Sequence, residues 1–266
     1  MNEQRVKKQE VVQGMLREIA RAAILFSGGV DSSLVLKLAS EVLKENILAI
    51  TIDSPFISRQ EIDEARKLAG IIGVEHIVVS IDMLNDPDLI INPVERCYLC
   101  KKKIFSLAKR IADQRGLACV VDGTNDQDSK LPRPGLRAAE ESGVRSPLRE
   151  GGFQKDDVRL LAKELGLPNW NKPSNSCLAT RFPFGEILTR DNLRRIEQGE
   201  RLLREFGLSC FRLRYHGKMG TSGNLARIHA SYQDQKAVIE KGSQIAKILK
   251  EVGFATVTLD IEEYYP

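Results

Sequence analysis

Short apolar runs alternate with longer amphipathic stretches over the first part of the chain. Ala22–Phe26, Ile47–Asp53, Val74–Ile81 and Leu117–Asp122 read as buried strands. Between them, Ser32–Leu43, Arg59–Ile72 and Leu99–Arg115 place apolar residues at helical spacing, and residues 1–20 form a further amphipathic helix. Strands that alternate with helices predict a parallel sheet with helices on both faces.

The rhythm then changes. Gly123–Pro134 is polar with two prolines and reads as a loop, and Asp156–Leu165 reads as a helix closed by Gly166 and Pro168. Asn169–Gly185 reads as a hinge. After it come a helix (Asp191–Phe206), strands at Cys210–His216 and Asn224–Ala230, a helix at Gln233–Val252 and a strand at Thr256–Ile261. This order predicts a smaller α+β domain, giving an α/β first domain at 1–168 and an α+β second domain at 169–266. No internal repeat or low-complexity tract interrupts the pattern.

Composition narrows the class. Of 266 residues, 42% are apolar and 29% charged, which suits a soluble globular protein. No run approaches the roughly 18 apolar residues of a membrane helix. The charged N-terminus lacks the apolar stretch of a signal peptide, so a cytoplasmic location without membrane contact is expected. The net charge of +4 suits anionic small ligands and gives no pointer to nucleic acid.

The densest chemistry lies between the first strand and its helix, in Ser27-Gly28-Gly29-Val30-Asp31-Ser32-Ser33. Two glycines allow a sharp turn and close backbone approach, and the following helix offers unpaired amides and a positive dipole end. The segment matches neither G-x-x-x-x-G-K-[ST] nor G-x-G-x-x-G. It resembles the PP-loop of the ATP pyrophosphatase superfamily. That resemblance implies ATP binding by Ser27, Gly28, Gly29, Asp31 and Ser32, with Asp31 placing Mg2+ and pyrophosphate leaving as the substrate is adenylated. It also implies that the end of the second strand, at Asp53, reads adenine; Asp53 is equally a plain strand-end residue. Gly123 and Thr124 close the fourth strand and border the same crevice by the rule that ligands lie beyond the carboxyl ends of parallel strands.

The chain has five cysteines. Cys97 and Cys100 form a C-x-x-C before a basic helix, which on its own is half a zinc site, a dithiol or two unrelated thiols. Cys119 and Cys210 read as structural. Cys177 lies in the polar hinge. Lys101, Lys102 and Lys103 read as a solvated helix face or as a site for phosphate. Trp170 reads as packing between the two halves.

Arg133-Pro134-Gly135-Leu136, Gly143-Val144-Arg145-Ser146-Pro147-Leu148, Asn169-Trp170-Asn171-Lys172-Pro173, Arg181-Phe182-Pro183-Phe184-Gly185 and Phe211-Arg212-Leu213-Arg214-Tyr215-His216 together resemble the LarE family over nearly the whole chain. The resemblance implies an ATP-dependent sulfurtransferase that adenylates the carboxylates of a pyridinium-3,5-dicarboxylate mononucleotide and replaces oxygen with sulfur, in nickel-pincer cofactor biosynthesis. One branch of the family sacrifices its own cysteine; that position aligns with Ser176 here. The other carries a 4Fe–4S cluster on three cysteines, which match Cys97, Cys100 and Cys177. The resemblance therefore implies a cluster carrying sulfide from an outside source, a catalytic Cys177 and a homo-oligomer. A one-residue shift in the alignment makes Cys177 the sacrificial donor instead.

Arg212 and Arg214 lie two apart on a strand, about 7 Å from each other on one face. Such a pair is a solvated face or a phosphate clamp. The resemblance implies that Arg181, Arg212 and Arg214 hold the substrate phosphate. Glu200 matches an acidic family position; from its helix alone it reads as an exposed charge. A cluster-dependent tRNA thiolase shares the loop and three cysteines, but no RNA-binding module is evident. An amidase of the same superfamily or an adenine-nucleotide sensor leaves the cysteines unexplained.

Overall fold

A computed structural model describes residues 3–126, 134–217 and 223–265. Arg133 and the rest of 127–133, within the expected loop, lie outside the described residues. The chain forms two compact units, one of residues 1–54, 59–81 and 95–173, the other of 55–58, 82–94 and 174–266.

The elements run α1 (Glu3–Ile19), β1 (Ala22–Leu25), α2 (Val30–Leu43), β2 (Ile47–Asp53), α3 (Arg59–Ile72), β3 (His76–Ser80), α4 (Pro87–Ile90), α5 (Arg96–Gln114), β4 (Cys119–Val121), α6 (Pro134–Glu141), α7 (Pro147–Glu150) and α8 (Lys155–Glu164). All but α4 belong to the first unit. Its sheet has the order β3-β2-β1-β4 with every pair parallel. Strand side chains alternate between faces, and β1 shows the consequence. Ala22 and Ile24 join the core formed with Leu34, Leu38, Ala65, Leu148 and Leu161, while Ala23 joins the opposite core with Leu48, Ile50, Phe105, Ala108 and Val120. Helices cover both faces, as the alternating pattern predicts.

The second unit continues with α9 (Arg190–Glu205), β5 (Phe211–His216), β6 (Leu225–Ala230), α10 (Tyr232–Glu240), α11 (Gly242–Glu251) and β7 (Thr256–Leu259). β6 is central, antiparallel to β5 and parallel to β7. Phe211, Leu213, Tyr215, Ala226, Ile228 and Ala230 are buried on one face of this sheet. α9 packs tightly there: a Cβ on Gly199 would stand 2.4 Å from Leu213 Cδ2. The fold is thus an α/β parallel-sheet unit with a smaller mixed-sheet α+β unit, the class expected.

Several local expectations are corrected. The helix expected over 233–252 is two helices, broken at Lys241. The helix expected from Leu99 starts at Arg96, so Cys97 and Cys100 lie within it and not ahead of it. Residues 134–141 are helical, beginning at Pro134, where proline is favourable because its missing N–H is unbonded at a helix start anyway. Trp170 packs against the first unit's core, with Lys163 Nζ 4.5 Å from its ring centroid. Cys119, read as structural, opens β4 and packs half-buried against the first core.

Candidate active site

The first unit's strand order reverses at β1 and β4: from β1 the chain passes outward to β2 and β3, then returns to the other side of β1. Ligands bind beyond the carboxyl ends of strands at such a reversal. Residues 27–33 follow β1 there, and Gly123 follows β4.

The loop is held open by its own hydroxyls. Gly29 N–H donates to Ser27 Oγ (3.3 Å), Ser27 N–H to Ser32 Oγ (3.2 Å), and the Ser32 and Ser33 hydroxyls to Gly29 O (3.1 and 2.8 Å). Asn169 Nδ2 spans the loop, donating to Gly28 O (3.0 Å) and Ser33 Oγ (2.9 Å). Gly28 has φ +70°, a left-handed conformation, with Ala65 close behind it. Gly29 precedes α2 without a side-chain cap. The helix start therefore keeps the amides and positive dipole end that bind anions.

Asp31 lies in the first turn of α2. Its Oδ2 is ion-paired with Lys155 Nζ, and its Oδ1 accepts from Asn125 Nδ2 (3.1 Å). One carboxylate is thereby tied to the start of α8 and to the loop after β4. Gly123 allows that loop to lie against α2, since a Cβ would stand 2.6 Å from Ser32 N. Thr124 and Ser146 fix the loop through the buried carboxylate of Asp122. Thr124 Oγ1 donates to Oδ2 (2.8 Å), and Thr124 N–H and Ser146 Oγ donate to Oδ1 (3.1 and 2.7 Å). Lys101 Nζ stands 3.7 Å from Asp122 Oδ2.

At the end of β2, Asp53 pairs with Arg59 at 2.6 Å; the hydrogen bond from Arg59 holds its carboxyl below the ordinary carboxylate value. Thr51 Oγ1 donates to Phe26 O (2.6 Å) and lies 2.8 Å from His76 Nε2.

In the second unit, Arg181 is 1% exposed. Its Nε donates to Glu200 Oε1 (2.8 Å), Nη1 to Ser176 Oγ and O and to Thr180 Oγ1 (2.7, 3.0 and 2.8 Å), and Nη2 to Asn175 Oδ1 and Glu200 Oε2 (3.0 and 3.3 Å). The guanidinium is engaged on all sides by Glu200 of α9 and by the segment around Cys177. Glu200, expected as an exposed helix charge, is instead 3% exposed and also accepts from Leu213 N–H (3.2 Å). The correction follows from Arg181: its charge makes burial of a carboxylate on the packed face of α9 tolerable. Arg212 and Arg214 share the sheet face opposite the core. Burial first, then neighbouring arginines, pushes both below the ordinary arginine value.

The metal and sulfur candidates divide between the units. Cys97 and Cys100 are three apart on α5 and therefore on one helical face; Cys177 is in the second unit. None of the three is in a disulfide, and thiolates are a donor set suited to iron. Among the described residues, no group of three or more His, Cys, Asp or Glu is arranged to hold a metal ion. No helix among them is long and apolar enough to cross a membrane.

Lys155, Asn125, Asn169 and Asp122 are the residues that sequence reasoning left out of the site. Asp122 and Asn125 had a signal in their position beside Gly123. Lys155 had a fainter one: a cation in the first turn of a helix, where acids are favoured.

Residues 9–99 match the asparagine synthase family. Over 255 residues, the chain is 36% identical to the pyridinium-3,5-bisthiocarboxylic acid mononucleotide synthase of Lactiplantibacillus plantarum, covering 96% of this chain and 90% of that protein. It is 38% identical to an uncharacterized protein of Synechocystis, covering 97% of this chain and 94% of the relative. A further uncharacterized protein, from Methanocaldococcus jannaschii, is 34% identical over 91% of this chain and 89% of its own length. With the loop, the strand reversal and end-to-end similarity agreeing, the chain belongs to the family of the pyridinium-3,5-bisthiocarboxylic acid mononucleotide synthase and is an ATP-dependent enzyme of the PP-loop ATP pyrophosphatase superfamily.

Proposed function

We propose that this enzyme adenylates the carboxylates of a pyridinium-3,5-dicarboxylate mononucleotide and replaces oxygen with sulfur. The observation that carries the reading is the placement of Ser27–Ser33 at the strand reversal, with Asp31 between Lys155 and Asn125. A substrate carboxylate oxygen attacks the α-phosphorus of ATP, the bond to the β-phosphate oxygen breaks, and pyrophosphate leaves onto the amides at the start of α2. Mg2+ at Asp31 would offset the charge developing on that leaving group. Ser27, Gly28, Gly29 and Ser32 line the phosphates, Gly123 and Thr124 close the crevice, and Asp53 borders the adenine side.

Sulfur then displaces AMP at the activated acyl carbon. A 4Fe–4S cluster on Cys97, Cys100 and Cys177 would supply a thiophilic iron for hydrosulfide from an outside donor. Arg181 holds the segment from Asn175 to Thr180, which orients Cys177; Arg212 and Arg214 take the substrate phosphate. The enzyme acts on this small nucleotide in the cytoplasm, as a homo-oligomer.

A second reading needs only Cys177, a free thiol in the segment held by Arg181. Cys177 Sγ attacks the acyl carbon, AMP leaves, and a thioester forms. Removal of the Cys177 Cα proton then breaks the Cβ–S bond, leaving dehydroalanine and a thiocarboxylate. Mass spectrometry after turnover separates the two, since only this route removes the elements of hydrogen sulfide from Cys177.

The test of the main reading is pyrophosphate release from ATP with the pyridinium dicarboxylate mononucleotide against unmodified tRNA. Stimulation by the mononucleotide, lost in Asp31→Asn, is expected. Stimulation by tRNA alone would overturn it.

A further inference from the structure

The outer face of the second unit's sheet is set by strand register. Arg212 lies opposite His229, Arg214 opposite Arg227, and His216 opposite Leu225. Their neighbours in sequence are the buried residues of the other face. β7 adds Thr258 beside Arg227. Three guanidiniums and two imidazoles therefore share one small face, with Arg214 and Arg227 as directly opposed cations. Like charges facing each other across an antiparallel pair are destabilising, so this arrangement calls for an anion.

Part of the charge is answered within the chain. Arg227 Nη1 stands 3.4 Å from Asp260 Oδ2, and Arg212 Nη2 donates to Ser174 O (2.8 Å). Arg212 also stacks over Tyr264 at 5.1 Å, and His229 meets the same ring edge-on at 5.2 Å. Among the described residues, Arg227 Nε, both ring nitrogens of His229 and, at the far end of the face, His216 Nε2 are buried without a hydrogen-bond partner. Buried polar atoms are nearly always satisfied, and an unsatisfied one calls for an explanation such as a missing ligand. Here three orphaned nitrogens lie on adjacent residues of one strand face, beside two arginines. A tetrahedral dianion offers acceptor oxygens to Arg227 Nε and to whichever ring nitrogen of His229 carries the proton, and guanidiniums bind such oxygens in pairs.

We propose that Arg227 and His229 of β6 form, with Arg212 and Arg214 of β5, a cross-strand cradle for a phosphomonoester, the phosphate of the mononucleotide substrate. This rests on the reading of Arg212 and Arg214 given above and extends it to residues that neither spacing nor family resemblance had singled out. Arg227 faces Arg214 directly, so one phosphate relieves the repulsion between them. His229 supplies an N–H at the Arg212 end, and Tyr264 keeps its ring in place. The face thereby recognises the phosphate end of the substrate, whereas the PP-loop handles ATP.

The test uses the full-length enzyme and three probes: the pyridinium dicarboxylate mononucleotide, its nucleoside without phosphate, and inorganic phosphate. Ring-nitrogen NMR of His229 should shift saturably with the mononucleotide and with inorganic phosphate, and not with the nucleoside. Arg227→Gln should weaken both titrations about tenfold or more, the worth of a charge-assisted pair. It should raise KM for the mononucleotide by a similar factor, with kcat and the KM for ATP little changed. His229→Gln should act in the same direction, and Arg227→Lys should recover part of the loss; thermal melts of each variant exclude misfolding. Equal effects of Arg227→Gln on nucleotide and nucleoside, or a His229 signal indifferent to phosphate, would overturn the cradle. A His229 signal that responds to phosphate in an enzyme that does not turn over the mononucleotide would leave the cradle standing and remove the proposed substrate.

Discussion

Arg181 and Glu200 form an ion pair at 2.8 Å with both side chains buried, 1% and 3% exposed. Glu200 lies on α9, while Arg181 ends the turn that begins at Cys177. The pair therefore ties the irregular segment carrying Cys177 to a regular helix. Removing one partner strands the other charge in the interior. Glu200→Ala should lower unfolding free energy by about 3–5 kcal/mol, with Glu200→Gln milder because it keeps the shape. Chemical denaturation measures this. A loss no greater than the roughly 1 kcal/mol of an exposed pair would mean that the pair is open to solvent.

Lys155 and Asp31 make a second consequential contact, the ion pair at the loop itself. If ATP and Mg2+ bind as proposed, the metal gives Asp31 a new cation, the phosphates give Lys155 a new anion, and the ammonium moves from carboxylate to phosphate. Lys155→Met should lower kcat/KM for ATP on the order of 100-fold, comparable to the loss of one group stabilising developing charge, while circular dichroism stays unchanged. If turnover with ATP is retained, Lys155 only balances Asp31 in the nucleotide-free protein.

Why Lys155 and the burial of Glu200 escaped sequence reading, while Ser27–Ser33 did not, follows from sequence distance. The loop's own serine–backbone bonds run within five residues, so its chemistry and its strand–helix context sit in one short window. Lys155 meets Asp31 from 124 residues away. Glu200 owes its burial to an arginine in a segment with no periodicity. The same reason explains why residues 55–58 and 82–94 belong to the second unit. They are held by Leu178 N–H to Phe56 O (2.8 Å), Gly185 N–H to Asn92 O (3.0 Å) and Leu188 N–H to Ile90 O (2.7 Å), and backbone bonds leave no trace in residue type. The parallel sheet, by contrast, was legible, because its strands are near-continuous apolar runs and its helices amphipathic. The break between α10 and α11 was hidden by apolar spacing that continues across it.

Gly123 is required by close approach and not by its φ. A Cβ there would stand 2.6 Å from Ser32 N and 2.7 Å from Ser32 Cα, both backbone atoms at the start of α2. Gly123→Ala must push the loop after β4 away from the phosphate loop. A stability loss of about 1–3 kcal/mol is expected from the overpacking, with weaker ATP binding by calorimetry. Gly14→Ala is the matched control: it lies in α1 with nothing within 4 Å of the added carbon, and should be neutral or stabilising by about 0.5–1 kcal/mol. Equal behaviour of the two variants would contradict the close approach.

His76 gives the enzyme a stability that depends on pH. Burial, and secondarily the charge of Arg66, pushes its pKa below the ordinary 6.5. Its Nε2 lies 2.8 Å from Thr51 Oγ1, whose hydroxyl is committed to Phe26 O, so the ring donates its N–H there. The other ring nitrogen carries no proton in the neutral form. As pH falls through 6.5, the unfolded chain takes up a proton that the folded chain refuses. Stability is therefore complete above 6.5 and declines below it, until the folded pKa is reached. Gln at this position retains an N–H for Thr51 and cannot titrate. The unfolding free energy of the wild type should fall more steeply than that of His76→Gln between about pH 7 and pH 5. His216, lowered in the same direction by its own burial, is present in both proteins, so the difference between the two slopes belongs to His76. Parallel slopes would show that the ring accepts its proton as readily in the folded chain as in the unfolded one.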